Sequence, residues 1–354
     1  MADRTEKITL LYKSALKEIA SSSENWMLFL KSACQNFRLP FDEQLLIYVQ
    51  RPEARAVLEI SDWNKRFGRT VKKYSTGIAV LDKKSIYPKV KYYFDISDTQ
   101  ESRNAYLYPS VPLWKAKKEH YNEIKEALTN AFGVSETNNK LDEVILTASK
   151  NMAEDHLTDY FHDVLLSRKD SFLEELDDFN VQVKFTDMLS NSIAYMLLER
   201  CGLNGDMYLN KDDFKNILEF NTPELINILG TAVSDASETA LTVVARTVRN
   251  SEKNLIRTFA QSNTEIYNKR GEEKNSERSF DNGDKLQGKE RLLSSRPKGR
   301  SSAGGLWEIR ISAPQVSNEA KVRGVPELSD NGNTDKSPER DTETGGDLQI
   351  KVKR

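Results

Sequence analysis

Between Ile60 and Tyr93 nine cations, Lys65, Arg66, Arg69, Lys72, Lys73, Lys83, Lys84, Lys89 and Lys91, stand against two acids, Asp62 and Asp82. Trp63, Phe67, Tyr74, Tyr87, Tyr92 and Tyr93 are interleaved with them. Cations follow a phosphate backbone and aromatic faces stack on unpaired bases, so the chemistry this stretch offers is binding of single-stranded nucleic acid. Alternation through 89–96 puts Val90, Tyr92, Phe94 and Ile96 on one strand face, expected to be core. Lys89, Lys91, Tyr93 and Asp95 fall on the other, expected to be exposed. Trp63 reads as core packing, whereas Tyr74, within Lys72-Lys73-Tyr74-Ser75, has nothing obvious to bury it. The expected backbone contacts are Arg66, Arg69, Lys72, Lys73, Lys84, Lys89 and Lys91, with Tyr74 and Tyr93 as stacking platforms.

No comparable constellation supports catalysis. The sequence has no phosphate-binding Gly-x-x-x-x-Gly-Lys-Ser/Thr loop, no Gly-x-Ser-x-Gly elbow, no Gly-x-Gly-x-x-Gly turn and no His-Glu-x-x-His. Its three histidines are His120, His156 and His162, and the last two fall on different faces of a helix with no cysteine close in sequence. Acid clusters at Glu174-Glu175, Asp177-Asp178 and Asp212-Asp213 read as solvated surface. The run Leu203–Asp213 lacks the acid, Gly and Glu positions of a calcium loop. The expectation is a protein with no enzymatic activity, no cofactor and no metal.

The run from Gln44 to Gln50, the pattern Trp63, Gly68-Arg69, Val71-Lys72-Lys73, Gly77-Ile78 and the strand after it carry a resemblance. Together they are similar to the N-terminal, single-stranded-DNA-binding domain of ArdC-type antirestriction proteins. They look closer to the version at the front of large helicase/methylase proteins of integrative conjugative elements. The likeness covers Ile8–Trp114, about a third of the chain. It implies single-stranded DNA as partner, a role in antirestriction or conjugative transfer, and association with helicase or methylase domains of the same element. The metalloprotease-like domain that follows in ArdC is missing, so the chain resembles a front end without its enzyme part.

The elements that must position these residues follow from periodicity. Ile8, Leu11, Tyr12, Ala15, Leu16 and Ile19 make one helical face; Trp26, Phe29, Leu30, Ala33 and Phe37 make a second, after a Ser21-Ser22-Ser23 cap. A third helix is expected over Asp42–Gln50, and a short one carrying Trp63 and Phe67, capped by Ser61 and ended by Gly68. The period then becomes that of a sheet, with strands at Ile78–Leu81 and 89–96 joined by a basic hairpin loop, and loop-like sequence through Trp114. From Lys115 to about Asn250 the pattern is helical and the charge inverts, with 21 acids against 10 Lys/Arg over 135–250. Gly202 is expected to end one of these helices and Thr222-Pro223-Glu224 to start another.

Composition bounds the whole. Of 354 residues 38% are hydrophobic and 30% charged, and mean hydropathy is −0.63, so part of the length is expected not to pack. The expected fold is an α+β N-terminal domain over 1–114 with helices and a small antiparallel sheet, an acidic all-α domain over 115–260, and a disordered polar tail over 261–354. No apolar run approaches a membrane span, and Cys34 and Cys201 have apolar neighbours that suggest buried, reduced thiols, so a cytoplasmic protein with no membrane partner is expected. An alternative function is an interaction scaffold, its basic face meeting an acidic partner or the acidic helical region of the same chain.

Overall fold

The computed structural model describes residues 3–82, 89–135 and 140–280. Asp3 caps helix α1 (Arg4–Ile19) by accepting from the Arg4 amide, and Ser22 caps α2 (Ser23–Ala33) by accepting from Asn25. A single 3₁₀ turn, Cys34–Asn36, leads to α3 (Phe41–Gln50). The short helix α4 (Ile60–Phe67) begins one residue before the expected Ser61 cap, with Glu59 in the capping position. Gly68 ends it in the left-handed conformation, φ 58°. The Tyr108 ring lies where a Cβ would stand there, so both backbone and space demand glycine.

Two small antiparallel sheets follow. Strands β1 (Val57–Leu58), β3 (Ile78–Asp82) and β4 (Lys89–Asp95) form one in the order β1-β4-β3. Strands β2 (Arg69–Val71) and β5 (Thr99–Glu101) form a separate ribbon, with Arg69 opposite Glu101. Of these, β1, β2 and β5 run for two or three residues, too short for alternation to register. The β3–β4 hairpin is in register from Ile78–Tyr93 to Asp82–Lys89, and its expected basic loop, 83–88, lies outside the described residues.

The remainder is helical: α5 (Tyr121–Phe132), α6 (Leu141–Ser167), α7 (Asp178–Arg200) and α8 (Pro223–Phe280), with 3₁₀ segments between α7 and α8. The expected buried residues Leu189, Ile193, Met196 and Leu197 are fully enclosed, and Gly202 follows α7 at φ 78°. Helix α8 starts at Pro223 with Thr222 accepting from the Leu225 amide. It leaves the core after Ser251, yet runs on to Phe280, past the point near Gln261 where the sequence predicts that order fades. Residues 261–280 contain no proline and many Glu, Lys and Arg, which a polar helix tolerates. The rest of the expected tail, 281–354, lies outside the described residues.

The main core crosses the expected boundary at 114. Leu16, Trp26, Phe29 and Phe41 belong to the same apolar cluster as residues of α5 to α8, and Trp114 itself is part of it. Each such aromatic, once buried, contributes roughly 1.5–3 kcal/mol. Polar bonds cross as well: Trp26 Nε1 donates to Ser192 Oγ at 2.9 Å, Gln44 Nε2 to Ser234 Oγ at 3.1 Å, and Tyr12 OH to Asn227 Oδ1 at 2.7 Å. A second, smaller cluster joins Leu46 and Ile47 of α3 to Val57, Ile78, Val80 and Tyr93 of the sheet.

Candidate nucleic-acid interface

Strand β4 buries residues of both faces at its C-terminal end, Tyr93 and Asp95 as well as Phe94, where the expectation had Tyr93 and Asp95 exposed. Tyr93 is 7% exposed, whereas Tyr92, expected in the core, is 40% exposed. The cause is Glu43 on α3, itself buried: Tyr93 OH donates to its Oε2 at 2.7 Å, and Lys91 Nζ pairs with its Oε1 at 2.7 Å. The Lys91 ammonium also lies 4.9 Å from the Tyr93 ring centroid. Burial pushes the Tyr93 phenol up to about 12, the nearby lysine pulling it down and Glu43 pushing it up further. For Lys91 burial works against the charge, but the bonds to Glu43 and Tyr93 prevail and hold its pKa above the ordinary lysine value. Lys91 and Tyr93 therefore hold the sheet to α3, and neither is a free contact. Phe94 and Trp63 are buried as expected, the Trp63 Nε1 donating to the Phe94 carbonyl at 2.7 Å.

The other expected contacts divide. Arg69 is taken up by the ribbon: Nε donates to Thr99 Oγ1 at 2.7 Å, and Nη1 lies 3.4 Å from Glu101. Lys72, Lys73 and Lys89 are exposed, although Lys72 Nζ also donates to the Ser97 carbonyl at 2.8 Å. Tyr74 is 89% exposed at φ 69°, with the Lys73 ammonium 4.9 Å from its ring centroid. Lys84 lies outside the described residues. Arg66 is exposed beside the Phe67 ring and opens onto a groove that sequence reasoning missed.

That groove has a deep lobe of about 330 Å³ and an outer lobe of about 640 Å³. Arg38, Arg66 and Arg249 line both, and Arg55 and Arg200 line the deep lobe. Phe37, Trp63, Phe67, Val111 and Trp114 supply apolar and aromatic walls. Arg38 follows α2, Arg55 precedes β1, Arg66 sits on α4, Arg200 closes α7, and Arg249 projects from α8 as it leaves the core. Among the described residues none of these five guanidiniums has a carboxylate partner; Glu252, on the outer lobe beside Lys253, is the one acid lining the groove. The wall at 55–58 is anchored by Asp95, whose carboxylate accepts from the Arg55 and Ala56 amides at 2.8 and 3.1 Å and from Ser97 Oγ at 2.6 Å. Burial would raise the Asp95 pKa, but these bonds outweigh it and hold it below the usual carboxylate value.

Arg200 is the deepest of the set. Its guanidinium stacks 3.9 Å from the Trp114 ring centroid, and its buried Nε has no hydrogen-bond partner. Burial lowers its pKa from the ordinary guanidinium value, with the neighbouring Cys34 and Cys201 pulling the other way. Both thiols are free and buried, and burial pushes each up to about 12.

No family model, curated protein or solved structure matches this chain. The likeness to the ArdC-type domain rests on the residues that carry it. Among the described residues no helix is long and apolar enough to cross a membrane, and no three His, Cys, Asp or Glu side chains converge to hold a metal ion. One sequence signal did point to the groove. Between 216 and 250 Arg246 and Arg249 are the only cations, in a stretch otherwise acidic, apolar or neutral.

Proposed function

We propose that the chain is a non-catalytic, sequence-tolerant single-stranded DNA-binding protein serving mobile-element transfer or antirestriction, and that it works beside helicase or methylase domains of the same element. The observation that carries this reading is the groove, where five guanidiniums without carboxylate partners surround aromatic walls. Unpaired cations at a surface attract a polyanion, and the exposed Tyr74 ring, outside the groove, gives a base a face to stack on. The expected contacts are revised accordingly: Arg38, Arg55, Arg66 and Arg249 follow the backbone, Lys72, Lys73 and Lys89 extend the basic surface, and Tyr74 is the exposed stacking platform. The resemblance supplies the biological setting, and the absence of catalytic motifs in the sequence supports the non-catalytic part.

Titration of the full chain with a labelled oligonucleotide, single-stranded and then annealed, tests the reading. Single strands should bind more tightly than duplex with little sequence preference, because stacking needs bases that a duplex keeps paired. Tyr74→Ala should cost about 1–3 kcal/mol of affinity. Preference for duplex, or full affinity in Tyr74→Ala, would count against it.

A further inference from the structure

We propose that the deep lobe of the groove is a pocket for a nucleotide bearing a phosphomonoester, whose phosphate is taken by Arg200 together with Arg38 and Arg249. The inference rests on the reading that this surface takes nucleic acid, and it adds which part of the ligand the deep lobe selects. Three features point to it. First, Arg200 is half-buried with no carboxylate partner, and its buried Nε–H has no hydrogen-bond partner; such a group calls for a ligand acceptor when the protein supplies none. Second, stacking on Trp114 fixes the guanidinium plane, so its donor fork is oriented before any ligand arrives. Third, the lobe's volume, about 330 Å³, lies within the range of roughly 300–1,000 Å³ usual for small-ligand sites. Its mixture of apolar walls and guanidiniums suits one base plus one phosphate.

The charge balance favours a phosphomonoester over a backbone diester. Five cations face the deep lobe with no acid. A diester brings one negative charge, whereas a phosphomonoester carries about −1.5 to −2 at neutral pH. The same chemistry occurs at a phosphorylated strand end and in a free nucleoside monophosphate, so both are assayed.

The full chain is titrated with one oligothymidylate carrying either a 5′-phosphate or a 5′-hydroxyl, and its melting temperature is followed with thymidine monophosphate or thymidine. The phosphorylated strand should bind about tenfold more tightly, the effect of one charge-assisted hydrogen bond. Arg200→Gln should abolish that difference while melting, without ligand, no lower than the parent, because it removes a half-buried charge that no carboxylate pairs. A structural arginine would instead lower the melting temperature on replacement. Lys72→Ala/Lys73→Ala should weaken both strands equally and leave their ratio intact. Should Arg200→Gln fail to fold, Arg38→Ala, at an exposed position on the same lobe, supplies the loss of preference.

If the strand end makes no difference but the monophosphate raises the melting temperature of the parent and not of Arg200→Gln, the pocket stands with the free nucleotide as its source. If strands bind and neither phosphate is distinguished, the pocket is refuted while strand binding survives. If neither strand binds, the strand-binding reading fails, and a monophosphate that shifts no melting temperature then overturns the pocket too.

Discussion

Tyr92 and Tyr93 are adjacent, equally aromatic, and opposite in fate. Alternation says that neighbours face opposite ways, but it does not say which faces inward when both can pack. The choice is made by Glu43, fifty residues away in sequence, whose carboxylate takes the Tyr93 hydroxyl and the Lys91 ammonium together. Tyr93→Phe should therefore cost about 1–2 kcal/mol of stability in urea unfolding, with oligonucleotide affinity unchanged. A drop in affinity at full stability would mean that the ring faces the ligand. Asp95 gives a pH dependence. Its unfolded carboxyl titrates near about 3.9, and its folded pKa is lower. The ionised form thus stabilises the fold above that unfolded value, and the contribution is lost as pH falls through the folded one. Urea midpoints between pH 6 and 2 should fall more steeply for the parent than for Asp95→Asn; parallel curves would show that Asp95 holds nothing.

Longer elements are readable because their periodicity repeats. Helices α1 to α3, the hairpin strands, the left-handed stop at Gly68 and the Thr222-Pro223 start of α8 all stand close to where pattern and capping put them. The short strands β1, β2 and β5 are not readable, since pairing partners rather than local sequence define them. A further element-scale constraint sits at Gly230, where α8 passes so close to α3 that an added Cβ would overlap the Phe41 ring. Alanine in a helix interior gains about 1 kcal/mol over glycine, while overpacking a core costs about 1–3 kcal/mol. The second effect should win, so Gly230→Ala should lower the melting temperature, and a rise would mean that α8 can move away from α3.

Among the described residues, the ion pairs that Arg69 and Lys91 of the basic segment make stay within the N-terminal third. Lys91, Arg69 and Arg51 pair with Glu43, Glu101 and Asp98, all within the N-terminal third, while Lys31, Arg168, Lys184 and Lys211 meet acids on α2, α7 and the 3₁₀ segments. Apart from the isolated Arg246 and Arg249, the groove is illegible in the sequence. Its arginines lie at 38, 55, 66, 200 and 249, far apart along the chain, and only the packing of α7 and α8 against the first helices brings them together. The central claim is that these arginines meet phosphates, and the slope of log affinity against log salt for a single-stranded oligonucleotide tests it most directly. Arg38→Ala/Arg249→Ala, both at exposed positions, should flatten that slope by about 0.7 for each phosphate that the variant no longer neutralises. An unchanged slope and affinity in that variant would contradict the account.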